Sequence, residues 1–171
     1  MYEFYVTIVG AKQGAFKGDA TGVHAGKLIG LAFEQASTAA SGGTGGAKPS
    51  FGPVRFTRQW GAASPQLLKA LATGEVLTEV RFEFLRSNDA GEETVFHAIR
   101  LTGARVIGLR PFIDLEAEPS SLMPLPPLEE VELRFAAMEV ENRVAKTVAM
   151  VGSKPKGKKT PLPSRSRSKR R

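Results

Sequence analysis

In one segment after another of this chain, apolar side chains return at every second residue. Tyr2, Phe4, Val6 and Ile8 alternate with Glu3, Tyr5 and Thr7 before Gly10 breaks the run. Ile29, Leu31 and Phe33 alternate over about Lys27 to Gln35, and Val54, Phe56 and Arg58 share one side of 54–60. Val80, Phe82 and Phe84 do the same in Glu75 to Arg86, and Val95, His97, Ile99 and Leu101 in the segment that follows. Ala104, Val106 and Gly108 extend that pattern, and Val131, Leu133 and Phe135 give a further run. Period two puts one set of side chains on each face of an extended chain, so these runs predict half-buried strands. Their phase slips at Ala136-Ala137 and resumes at Met138 and Val140, which predicts a β-bulge. About seven strands result, and many short strands separated by turn signals favour a sandwich or barrel.

One segment has helical spacing. Ser64 is an N-cap candidate, Pro65 suits the first helical position, and Leu67, Leu68, Leu71 and Ala72 form a stripe that Gly74 stops. About ten residues are too few for independent stability, so this helix is expected to pack on a sheet. Between the strands lie turn and loop compositions. Ala11 to Gly26 is glycine-rich, Ser37 to Pro49 contains Gly42-Gly43-Thr44-Gly45-Gly46, and Asn88-Asp89-Ala90-Gly91 signals a hairpin turn. Arg110 to Pro127 holds five prolines and is expected to be a loop.

Charge divides the chain in two. Of 24 Lys and Arg, nine lie after Gly152 with no acidic residue among them, leaving 15 basic against 17 acidic residues before that point. The body is therefore slightly acidic, and the net charge of +7 belongs to the end. The expected organisation is a β-domain over 1–151 and a disordered basic tail over 152–171. Lys154, Lys156, Lys158, Lys159, Arg165, Arg167, Lys169, Arg170 and Arg171 could contact acidic cargo or another polyanion. Phosphate binding by such a tail is salt-sensitive and blind to sequence, and no aromatic residue is interleaved for base stacking.

Little else points to chemistry. With no cysteine, thiolate metal sites and Cys nucleophiles are excluded, and His24 and His97 form no metal-binding pair. The glycines of 42–46 lack the Gly-Lys-Ser/Thr of a phosphate-binding loop. Glu129, Glu130 and Glu132 read as a solvated strand face, and Trp60 as a packing residue. No apolar run is long enough to cross a bilayer, and Met1-Tyr2-Glu3-Phe4 does not open like a signal peptide. No enzyme, cofactor or metal is expected, and a structural or interaction protein is.

Several strings, taken in order, resemble the haemolysin-coregulated protein family, whose members form the inner tube of the bacterial type VI secretion system. Phe4-Tyr5-Val6-Thr7-Ile8-Val9-Gly10 is similar to its opening strand, and Val54-Arg55-Phe56-Thr57-Arg58-Gln59-Trp60 to its strand before the helix. Ala63-Ser64-Pro65-Gln66-Leu67-Leu68-Lys69-Ala70-Leu71-Ala72-Thr73-Gly74-Glu75 resembles the helix itself, and Glu130 to Glu141 the closing strands. The resemblance spans about residues 2 to 145. It departs from the family at the long proline-rich stretch and at the basic tail.

The resemblance implies a mainly β fold, a compact two-sheet β-barrel of the tail-tube kind with one short flanking helix at about 64–74. It implies a homohexameric ring with a central pore, rings stacked into a tube, and a sheath, a spike and effector proteins as partners. The protein would be assembled in the bacterial cytoplasm and then secreted or injected, with no membrane partner. By position, Ser41, Gly42, Gly43, Thr44, Gly45, Gly46 and Lys48 fall in the loop that reaches neighbouring subunits. Two other readings stand beside this one: a tube protein of a phage tail or extracellular injection device, and a nucleic-acid-binding β-barrel that uses the basic tail.

Overall fold

A computed structural model describes residues 4–39, 49–87, 91–113 and 126–152. The loop residues Ser41 to Lys48 and the tail residues Lys154 to Arg171, both singled out from sequence, lie outside this set. Two antiparallel sheets face each other. The larger has seven strands: β1 (Phe4–Gly10), β2 (Gly14–Ala15), β3 (Leu28–Gly30), β6 (Leu77–Ser87), β7 (Glu93–Thr102), β10 (Ala137–Asn142) and β11 (Thr147–Gly152). They run in the order β11-β10-β7-β6-β1-β2, with β3 also paired to β1. The smaller sheet orders β4 (Ala32–Thr38), β5 (Ser50–Gln59), β9 (Leu128–Arg134) and β8 (Arg105–Phe112) as β4-β5-β9-β8. A single α-helix among the described residues, α1 (Ser64–Thr73), packs on β8.

The alternating residues meet between the sheets. Phe4, Val6, Ile8, Val80, Phe82, Ile99 and Leu101 from the larger sheet pack against Val54, Phe56, Val131 and Leu133 from the smaller. Phe82 is the hinge of this core, edge-on to Phe56 at 5.4 Å and to Phe33 at 5.1 Å, a geometry that suits the ring quadrupoles. The helix adds Leu67 and Ala70 and ends at Gly74, whose φ of 61° closes the left-handed C-cap. Arg105 donates to the Gly74 carbonyl and ties the cap to β8.

Three short corners carry the chain from one sheet to the other. Leu31 separates β3 from β4, Gly103-Ala104 separates β7 from β8, and Phe135-Ala136 separates β9 from β10. Each corner is fastened by backbone bonds: Leu31 N–H to Thr57 O at 2.8 Å, Leu77 N–H to Ala104 O at 2.8 Å, and Ala136 N–H to Thr102 O at 3.0 Å. The mainly β, two-sheet fold with one short helix is as expected. Among the described residues the sheets are open at their edges and do not close into a continuous barrel.

Five details differ from the sequence reading. Eleven strands form among the described residues, where about seven were expected. The phase slip at 136–137 is a change of sheet, because β9 pairs with β5 while β10 pairs with β7. Ile29 and Leu31 face outward, and the buried face of that segment is Leu28 and Gly30. Leu68 is exposed, so the helix's buried stripe is Leu67, Ala70 and Leu71. Pro111 lies within β8, where the outer edge of the sheet tolerates a residue with no N–H to donate.

Candidate assembly surface

Alternation along β5 carries an arginine into the core. Val54, Phe56 and Arg58 point the same way, and Arg58 is only 1% exposed. Alternation along β9 does the same with Glu129, in phase with Val131 and Leu133 and 2% exposed. The register sets Arg58 opposite Glu129, and their side chains meet at 2.7 Å. The second guanidinium nitrogen reaches Asp19 at 2.8 Å. Ser64 donates its hydroxyl to Glu129 at 2.9 Å and accepts the Gly61 N–H at 3.1 Å. Asp19 accepts the Ala62 N–H. A buried charge persists only when paired and hydrogen-bonded, and this cluster pairs it from four segments at once. Two sequence expectations are corrected here. Glu129 belongs to no solvated face, and the Ser64 hydroxyl serves Glu129 rather than capping α1.

The cluster holds the turn between β5 and α1, and that turn presents Trp60. The indole N–H donates to Leu128 O at 2.8 Å, which fixes the ring, yet the residue is 51% exposed. Beside it Ile29 and Leu31 are also exposed, and together with Asp19, Arg58 and Gln59 they line a pocket of about 120 Å³.

A second anchored carboxylate closes the turn after β1. Glu75 is buried and accepts the N–H groups of Lys12 at 2.6 Å and Gln13 at 2.8 Å, and the Gln13 side-chain amide at 2.8 Å. The Gln13 backbone bond, opposed by burial and joined by the Lys12 backbone bond, holds its carboxyl below the ordinary glutamate range. Gly10 leaves room for this carboxylate, since a Cβ there would lie 2.5 Å from its Oε1.

The outward face of the larger sheet is charged in both signs. Lys27 donates to Glu83 at 2.5 Å, Arg81 lies 3.3 Å from Glu83, and Arg100 lies 3.3 Å from Glu79. Burial disfavours the Glu83 anion, but the Lys27 bond and charge and the Arg81 charge outweigh it and hold the carboxyl below its ordinary value. His24 stacks on Tyr5 with ring centroids 4.0 Å apart, and its Nε2 lies 3.4 Å from Glu93. His97 is half-buried against Phe84, as its place in the alternation predicts. Among the described residues no group of three or more His, Asp or Glu is placed to hold a metal ion.

At the far edge of this sheet, β11 has the sequence Thr-Val-Ala-Met-Val-Gly, with no charge and no proline. Proteins ordinarily blunt an edge with such residues, because an edge strand offers a row of free N–H and C=O groups. Val148 and Met150 stand exposed on it. Sequence reading missed β11 because both of its faces lack the usual contrast between buried apolar and exposed polar residues. Its signal is β-branched composition after the Asn142 turn, where the Asn142 side chain accepts the N–H groups of Val144 and Ala145.

Among the described residues, two open sheets leave an uncharged edge strand and an exposed apolar corner, features that suit a subunit of an assembly. The sequence profile of the type VI secretion system effector Hcp family matches residues 8–141, and the chain belongs to that family. It is a structural subunit of the secretion tube. Solved structures agree on the fold. A crystal structure of an Hcp protein superposes with a TM-score of 0.80 at 19% identity, covering 91% of this chain and 99% of its own. The Hcp1 protein of E. coli EAEC 042 gives 0.77 at 20% identity over 89% of this chain and 99% of its own. The Hcp3 protein of Pseudomonas aeruginosa, described as secreted, gives 0.74 at 21% identity over 91% of this chain and 100% of its own. No curated protein sequence matches the chain. Neither the phage-tail reading nor the nucleic-acid reading is favoured by this membership.

Proposed function

We propose that six copies of this chain close into a ring around a central pore. The rings stack into a tube inside a contractile sheath and beneath a spike, and contraction expels the tube with effector proteins in its lumen. The observation that carries this reading is the pair of open antiparallel sheets, in which β11, β2 and β3 of the larger and β4 and β8 of the smaller have one paired neighbour each among the described residues. Free edges are a hazard for a monomer and an asset for a subunit, and a closed ring satisfies them symmetrically. Membership of the family supports the tube and its general partners. Secretion by expulsion accords with the description of the Pseudomonas aeruginosa relative.

The glycine-rich residues Ser41 to Gly46, with Lys48, are proposed to contact the neighbouring subunit or ring. The basic residues from Lys154 to Arg171 are proposed to contact acidic cargo. Light scattering coupled to size exclusion tests the ring. Six chains of 18.3 kDa give about 110 kDa, and that mass is expected at both low and high salt. A single-chain mass at both salts contradicts the proposal. Deleting 152–171 is expected to leave a six-chain ring, lighter by the residues removed, while cargo retention falls, and unchanged retention removes the role given to the tail.

A further inference from the structure

The strand registers lay out one continuous row of side chains across the outward face of the larger sheet. Ile29 on β3 stands opposite Tyr5 on β1, Tyr5 opposite Glu83 on β6, and Glu83 opposite Ala98 on β7. Ala98 stands opposite Glu141 on β10, and Glu141 opposite Val148 on β11. The middle of the row is occupied within the chain: His24 covers Tyr5, Lys27 ties Glu83, and Arg143 lies 3.2 Å from Glu141. Each end carries exposed apolar side chains that nothing covers among the described residues. At one end Val148 is 68% exposed, with Met150 beside it on the same face. At the other, Ile29 joins Leu31 and Trp60 around the 120 Å³ pocket.

These ends lie at opposite edges of one sheet, so no single chain can bring them together. Five strand spacings of about 4.8 Å separate them by roughly 24 Å. An apolar knob on one edge and an apolar socket on the other are the two halves of a head-to-tail contact, which generates a ring when the rotation between copies closes. A partner with the same two ends is another copy of this chain. We infer that Val148 and Met150 of one copy seat against Ile29, Leu31 and Trp60 of the next, and that this contact joins the subunits around the ring. The uncharged β11 edge fits the assignment, because an edge that is covered by a neighbouring copy has no need of lysine or proline to keep other chains away. This inference rests on the ring reading above and names the surfaces that make it.

The chain has no cysteine, so a designed pair reports the contact without interference. The full-length protein carrying Ile29→Cys and Val148→Cys is assembled, oxidised and run on a non-reducing denaturing gel. A disulfide needs Cα atoms within about 7 Å, so any bond formed joins two copies. The expected result is a ladder of cross-linked species rising to six chains, with none from a Leu68→Cys and Val148→Cys control. A ring of about 110 kDa with no ladder overturns the assigned surfaces and leaves the ring reading standing. A single-chain mass for the unsubstituted protein overturns both. As an independent arm, Val148→Asp is expected to abolish the ring while the far-ultraviolet circular dichroism stays that of the folded β-domain. Persistence of the ring in that variant overturns the inference.

Discussion

Arg58 and Glu129 face each other across β5 and β9 and form an ion pair at 2.7 Å with almost no solvent contact. The partners are unequally insured. Without Glu129, the guanidinium keeps Asp19, whose side chain is 44% exposed. Without Arg58, the Glu129 carboxylate keeps only the Ser64 hydroxyl. Arg58→Met is therefore expected to cost about 3–5 kcal/mol, the range for a buried charge stripped of its partner. Glu129→Gln should cost less, about 1–3 kcal/mol, because it keeps an acceptor for the arginine. The double variant Arg58→Met with Glu129→Leu should recover most of the loss by replacing the pair with apolar packing. Urea unfolding of the three proteins checks the order, and a double variant no better than Arg58→Met alone refutes it.

Acid should weaken the fold through Glu75 and Glu83. Both carboxyls lie below the ordinary value of 4.5 in the folded chain. A depressed folded pKa means that the unfolded chain takes up protons first as the pH drops. The stabilisation is complete above the unfolded value and is lost as the pH falls from there through the folded value. Glu75→Gln removes the charge that gathers the Lys12 and Gln13 N–H groups. Its melting temperature should be lower than the parent's at neutral pH, and should fall less steeply on acidification below 4.5. Parallel curves for the two proteins would contradict this role.

The strand pattern made much of the fold legible, and its failures share a cause. Phe4, Val6 and Ile8, and again Val54 and Phe56, are buried as alternation requires. Arg58 and Glu129 obeyed the same alternation, yet composition argued the other way, since a run of three carboxylates in four residues reads as a wet surface. A charge is buried only where its partner is, and the partner lies 71 residues distant in sequence. The slip at 136–137 has the same limit. A bulge and a change of sheet look identical along one strand, and only the identity of the paired neighbour separates them. The assembly surface was the least legible, because Ile29 and Val148 are joined by registers across six strands and by nothing in the sequence between them.

Gly30 explains why the segment from Leu28 was read in the wrong phase, and it supplies a further test. The residue takes a buried position opposite Phe4, where a Cβ would lie 1.9 Å from the phenylalanine ring. That ring packs on Phe33, Phe82 and Phe84 and has no free side to move into. Gly30→Ala should therefore destabilise at or above the usual overpacking range of about 1–3 kcal/mol. Phe4→Leu costs stability by itself but makes room for the added methyl. The two substitutions together should be less harmful than their sum by about 0.5–3 kcal/mol, the coupling typical of residues in contact. Simple additivity in a double-mutant cycle would mean that the ring yields by another route.

Trp60 gives a spectroscopic reading of assembly that needs no label, because it is the chain's one tryptophan. Its indole N–H is held by Leu128 O, so the ring cannot swing away from the surface, and half of the residue faces water in the single chain. Seating of a neighbour's Val148 and Met150 over the pocket removes that water. The emission maximum should then move to shorter wavelength as rings form, and return to longer wavelength when dilution separates the chains. Val148→Asp should hold the longer wavelength at every concentration. The shift reports whether the pocket is covered. A ring built through contacts that leave this pocket open would change the mass measured by light scattering and leave the environment of Trp60 as wet as before.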